Sequence, residues 1–155
     1  MLKHPIVKII LACLLIITLS SVWAETATND TIIQNREKLM KGMGKHMKAI
    51  KKILEGKLDA AEMSTHISDM EMLTKRLSDD LKNLFPVGSD VGETDAKPLI
   101  WNKWDEFAKI AKSVAEKGTA LAQANTSGNK ANIESAYKDL GDVCKSCHKD
   151  YRTEK

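Results

Sequence analysis

Four stretches of this chain repeat apolar side chains alternately three and four positions apart, a spacing that lines one face of an amphipathic helix. The first carries Ile33, Arg36, Met40, Met43, Met47, Ile50 and Leu54, and the second Met63, Ile67, Met70, Thr74, Leu77, Leu81 and Leu84. The third carries Ile100, Trp104, Phe107, Ala111, Val114, Gly118 and Leu121, and the fourth Ile133, Tyr137, Leu140, Cys144, Cys147 and Tyr151. Each is a seam that packs helices at shallow angles. Start and stop signals bound them. The first helix is expected to begin near Asn29, Asp30 or Thr31 and to end at Gly56. The second is capped by Asp59 and runs to about Leu84, before Phe85-Pro86. The third opens at Pro98 and ends at "NTSGN"; the fourth runs from around Asn129 to about Tyr151. Short links make neighbours antiparallel, so the spacing predicts an all-α, up-down-up-down four-helix bundle. The longer link, residues 85–97, crosses one end. That topology sets His148 level with Arg36, Met40, Trp101 and Trp104; His46 is expected about a turn and a half deeper than Met40, and His66 farther still.

Ahead of the first seam stands a different kind of segment. "MLKHPIVK" supplies Lys3 and Lys8, "IILACLLIITL" is apolar, and "SSVWA" ends in small residues. This is the order of a secretory leader, with cleavage expected after Ala24. The apolar run is 11 residues, short of the ~20 needed to span a bilayer, so a retained anchor is the weaker reading. A lipoprotein reading at Cys13 is weaker again, because the apolar core continues past it. Removing residues 1–24 leaves 131 of the 155, one exported domain at 25–155 with no membrane span. The leader takes two of the 24 basic residues, leaving 22 against 21 acidic. No basic patch is interleaved with aromatic residues, which argues against nucleic acid. Cys13 leaves as well, so the exported chain keeps only Cys144 and Cys147.

Those cysteines stand with a histidine in "GDVCKSCHKDYR". C-x-x-C-H is the attachment signal of a c-type haem. On a helix, positions i, i+3 and i+4 project from one face, so two thiols reach the vinyl groups of one porphyrin edge while His148 grips the iron. A redox pair would be expected near a βαβ pattern, and zinc needs a further ligand. The chain offers neither. One covalently bound haem c, held through Cys144 and Cys147, is therefore expected, and export places it where attachment occurs. The competing reading is a haem-free helical interaction module with a Cys144–Cys147 disulfide.

Arg36 occupies a seam position, and a buried charge needs a partner; a haem propionate would serve. Met40 lies one turn inward on the same stripe, and a thioether is a usual sixth ligand of electron-carrying haems. Met43, Met47, Met63 and Met70 read as core filler. Two glycines within three residues, Gly42 and Gly44, suggest a local need. Gly44 would give a flat ring or a crossing helix room, or equally be a harmless weak spot. His46 and His66 read as polar-face or boundary residues, and Lys45, Lys48 and Lys52 as a solvated face that would suit an acidic redox partner.

With these residues in view, the chain resembles the class II c-type cytochromes, which include cytochrome c' and its low-spin relatives. The resemblance lies in "NREKLMKGMGKHM", "LFPVGSDVGETDAKPLIW" and "GDVCKSCHKDYR", and it covers essentially the whole exported chain. It implies a four-helix bundle, haem near one end, His148 as proximal ligand and Arg36 near a propionate. In cytochrome c' the distal side is blocked and the five-coordinate iron binds nitric oxide or carbon monoxide. In the low-spin relatives a methionine in a "KLMK" setting ligates the iron. "EKLMKGMGKHM" resembles the second kind, whereas the link into the third helix is found in both. The expectation is a periplasmic single-electron carrier, not an enzyme, with redox partner proteins and Met40 as the distal iron ligand; gas binding is the alternative. Relatives often dimerise through the first two helices, and the exposed faces here are compatible with a homodimer.

Overall fold

A computed structural model describes the backbone of residues 5–154, with side chains from Thr28 onward. The leader expected over residues 1–24, its Cys13 and the cleavage site after Ala24 lie outside the residues whose side chains are described. The first helix, α1, spans Pro5–Leu54 rather than starting at residues 29–31. No proline or glycine stands between Pro5 and Gly42, so nothing in the chain stops the helix there. Asn29 consequently caps nothing. Its Nδ2 donates instead to the carbonyl of Gly88 at 3.2 Å, tying α1 to the long link. At the other end Gly56 takes φ +72°. Its N–H reaches the Ile53 carbonyl at 2.9 Å, and that of Lys57 reaches Lys52 at 2.7 Å, the paired bonds of a Schellman stop.

The return leg opens on a 3-10 turn, Ala60–Glu62, capped by Asp59, whose carboxylate accepts from the Ala61 N–H at 2.9 Å. It continues as α2 (Met63–Asp79) and, after a pause at Asp80, as α3 (Leu81–Leu84). The buried seam runs through the pause as Ile67, Met70, Thr74, Leu77, Leu81 and Leu84. The third expected helix is divided into α4 (Leu99–Asn102) and α5 (Trp104–Thr126), because Lys103 leaves helical geometry at φ −126°, ψ 45°. The break serves two neighbouring tryptophans. Trp101 Nε1 donates to the carbonyls of Phe85 and Pro86 at 3.1 and 2.9 Å. Trp104 packs on Phe107, which meets Phe85 and Tyr151 edge to face. The last helix, α6, spans Lys130–Tyr151, capped by Asn129 through its bond from the Asn132 N–H at 3.2 Å.

These legs form the antiparallel four-helix bundle. Among the described residues no strand forms; one isolated bridge pairs Ala96 with Arg152, where the long link lies along the chain's tail. α1 packs closely on α2, α2 on α5 and α5 on α6, whereas α1 and α6 touch at few positions. The core includes Ile50, Ile67, Met70, Ile100, Leu121 and Leu140. Among the described residues no helix is long and apolar enough to cross a membrane.

Candidate cofactor site

Helical geometry puts Cys144, Cys147 and His148 on one stripe of α6, which begins with Ile133 and Leu140 in the core. Both thiols are free, half-buried and packed against the hydrophobic cluster. Burial raises the Cys144 thiol, and burial, then Cys144 and Asp150, pushes that of Cys147 up to about 11. Thiols that serve as redox nucleophiles or metal thiolates are tuned the opposite way. His148 is exposed, and its ring makes no hydrogen bond or ion pair among the described residues. Partial desolvation, then Arg152, lowers its pKa, which favours the neutral imidazole that a metal requires. A protonated thiol pair beside an unengaged neutral imidazole fits a porphyrin held by two thioethers and one axial nitrogen.

The side of the bundle that this stripe faces is fixed by one contact. A Cβ on Gly141 would stand 3.6 Å from Met47 Cε, so Gly141 and Met47 oppose each other across α6 and α1. Seven residues is almost two turns, or ~10.5 Å of rise. Met40 lies seven residues before Met47, and His148 seven residues after Gly141. Because the helices run antiparallel, both displacements go the same way. Met40 and His148 are therefore level, on the facing stripes of two helices that are only loosely apposed. Met40 is half-buried against the core; the fully buried residue at this turn is Leu39, outside the expected seam. α1 in fact has two working stripes. Gly42 and His46 meet Leu73 and His66 of α2, while Met47 meets α6.

Arg36 is 4% exposed, as its seam position required. Its guanidinium donates to four neutral oxygens: Leu84 O at 3.4 Å, Ser89 Oγ at 3.3 Å, Ser89 O at 3.1 Å and Thr94 Oγ1 at 2.6 Å. The Phe85 ring lies beneath it, 4.9 Å from Cζ to the ring centre. Burial lowers its pKa, opposed by Glu37 and Asp90, yet arginine keeps its proton. So Arg36 clamps the 85–97 link, a role that the expectation of an anionic partner did not foresee. The link's glycines permit the wrap, with Gly88 and Gly92 at φ +86° and +100°.

Two other expectations change. Gly44 is exposed with no protein atom near its would-be Cβ, so no crossing helix needs it; Gly42, 3.3 Å from Leu73 Cδ1, is the glycine that eases the α1–α2 approach. His66 does not lie beyond His46. The two rings meet, Nδ1 to Nδ1 at 3.0 Å. The turn at Gly56 lies ten residues from each, and that symmetry was the available signal.

Fold and site together define a helical-bundle protein whose last helix carries a C-x-x-C-H segment suited to covalent haem attachment. Residues 31–152 match the family model described as Cytochrome C'. The chain is 34% identical to a cytochrome c' of Pararhodospirillum photometricum, over 81% of its own length and 99% of the relative's. It is 35% identical to a cytochrome c-556 of Agrobacterium fabrum, over 79% and 82%. A solved cytochrome c' with an unusual ligand-controlled dimer dissociation superposes with a TM-score of 0.74 at 28% identity, covering 81% of this chain and 97% of that one. The chain belongs to the cytochrome c' family. It is a haem-binding protein of electron-carrier type with covalently attached haem c, which sets aside the haem-free disulfide module.

Proposed function

We propose that this protein is an exported single-electron carrier, not an enzyme, in which Cys144 and Cys147 would hold the haem and His148 and Met40 would supply ligands to its iron. The observation that supports this most is the level pairing of Met40 with His148 across the loosely apposed α1 and α6. Haem iron, when bound, supplies one-electron exchange between its ferric and ferrous states. The protein's own residues do the rest. Cys144 and Cys147 would bind the porphyrin through thioethers. His148 presents a neutral ring nitrogen, and Met40 a thioether from the opposite wall. Phe85, Trp104, Phe107 and Tyr151 form an aromatic cluster at the same end that helps exclude water. Arg36 supplies the buried cation from which a propionate would gain, without leaving Ser89 and Thr94. Lys45, Lys48 and Lys52 are exposed on α1 and would dock an acidic redox partner. A leader removed after Ala24 would deliver the protein to the periplasm, where haem attachment occurs. A homodimer is compatible with this reading.

Absorption spectra of the ferric and ferrous protein, with and without nitric oxide, test it. Low-spin, sulfur-ligated spectra are expected, and Met40→Ala should convert them to high-spin. A high-spin wild type that takes up nitric oxide or carbon monoxide directly would replace the carrier reading with the gas-binding one.

A further inference from the structure

The bundle holds a second cluster of chemistry-bearing side chains, away from the thiols and outside the role just given. His46 on α1 and His66 on α2 face each other with Nδ1 atoms 3.0 Å apart and ring centres 5.1 Å apart, at 63° between planes. Both side chains are largely buried, 12% and 16% exposed, which leaves a narrow opening to water. Two carboxylates flank the pair. Glu62 Oε2 is 3.4 Å from His66 Nε2, and Asp69 Oδ2 is 3.8 Å from His46 Nδ1.

We propose that His46 and His66 form a two-imidazole clamp for a borderline divalent transition metal, with copper(II) the tightest guest. The first argument is distance. Two nitrogens each ~2.0–2.1 Å from one ion stand about 2.9 Å apart at a right angle and about 3.3 Å apart at a tetrahedral angle. The observed 3.0 Å fits the right angle, the geometry of copper(II) and nickel(II), and imidazole suits both. The second is tautomer control. Glu62 favours the proton on Nε2 of His66, leaving its Nδ1 lone pair toward His46, as outer carboxylates do for metal-binding histidines. On binding, the proton that His46 Nδ1 shares with His66 leaves through solvent and Nε2 takes one up, so no oxidant or reductant is required. The third is charge. Asp69 and Glu62 offset a dication that Lys45 opposes. Among the described residues no group of three or more such side chains is arranged to hold a metal, so water completes the coordination.

The test is copper(II) titrated into the exported, haem-loaded protein in a buffer that does not chelate. One equivalent should give an electron paramagnetic resonance signal split by two nitrogens, in addition to that of the haem iron. His46→Gln and His66→Gln should each weaken binding about tenfold or more, the lower bound set by loss of an outer-shell partner. Because the clamp joins α1 to α2, copper should also raise the unfolding temperature of the wild type more than that of either variant. Absence of the two-nitrogen signal, or copper affinity and thermal response equal in wild type and variants, would overturn the proposal. Glu62→Gln, which leaves both ligands in place and removes only the outer carboxylate charge, should weaken binding by about tenfold. Unchanged affinity there overturns the tautomer argument.

Discussion

Gly118→Ala is a sharp test of how closely this bundle is packed. In an isolated helix the change would stabilise by about 1 kcal/mol, because alanine is the better helix former. Here the new Cβ would stand 2.1 Å from Thr74 Oγ1, 3.0 Å from Thr74 Cβ and 3.2 Å from Thr74 Cγ2. Thr74 cannot step aside. It is fully buried, its β-branched χ1 is stiff, and its hydroxyl donates to the Glu71 carbonyl at 2.9 Å. An ordinary carbon–oxygen contact is about 3.3 Å, so α2 and α5 must part by roughly 1 Å at their closest approach. A gap of that size forfeits roughly a quarter to a half of each dispersion contact across it. Met70, Leu77, Val114 and Leu121 lie along that interface. Overpacking of this kind costs about 1–3 kcal/mol; the closeness of the contact argues for the upper end. Set against the propensity gain, the net loss should be about 2 kcal/mol, or roughly 6–10 °C in unfolding temperature for a domain of this size.

Circular dichroism of the haem-loaded protein through heat or urea unfolding reads this directly. Thr74→Ala removes the atoms at 2.1 and 3.2 Å and leaves only the Cβ contact. The double variant should therefore recover about 1–2 kcal/mol relative to additivity. Gly44→Ala, where nothing stands within 4 Å, is the internal control and should stabilise by about 0.5–1 kcal/mol. A Gly118→Ala protein as stable as the wild type, or a strictly additive double variant, would refute the reasoning.

Arg36 and Tyr137 carry the remaining expectations. Arg36→Lys keeps the charge but not the fork that reaches Ser89 and Thr94 together, and should cost about 1–2 kcal/mol in urea unfolding. Arg36→Ala leaves buried acceptors unpaired and should cost about 3 kcal/mol. The Tyr137 phenol is raised above 10 by burial, then by Glu55. The folded state therefore holds its proton longer than the unfolded chain does. Its contribution is complete below pH 10 and is lost as pH rises through the raised value. Unfolding temperature should fall on that alkaline limb, and Tyr137→Phe should make the fall shallower; an identical profile in the variant would count against the assignment.

Most of the fold was legible because three of the four seams are set by period alone. Ile100, Phe107, Ala111, Val114, Gly118 and Leu121 are all buried as their spacing predicted, and Trp104 is half-buried. What the period could not show was where backbone geometry gives way to a local bond. α4 ends at Asn102 although the apolar pattern continues, and the Trp101 indole is bonded to the Phe85 and Pro86 carbonyls beside that break. α1 misled in the other direction. Its expected caps were good cap residues, but a cap acts only where the helix stops, and no breaker stands between Pro5 and Asp30. Leu39 escaped because α1 serves two neighbours, and a single stripe describes only one.

The same distinction separates the two clusters of chemistry-bearing side chains. Cys144, Cys147 and His148 lie within one helix, where the rise per residue sets their relation whatever the rest of the chain does. The level of Met40 needs only two straight antiparallel helices and one contact to set their register, and Gly141 against Met47 provides it. The His46–His66 contact depends instead on where the α1–α2 hairpin turns, and an error of two residues at the turn would slide the rings past each other. The turn is fixed chemically by the positive φ of Gly56 and by the Asp59 cap three residues on. Counting outward from Gly56 in both directions brings ten-residue arms to His46 and His66 together. Contacts between helices are thus readable to the extent that the turn joining them announces its own position, and this turn does so with a residue that tolerates left-handed geometry where others are strained.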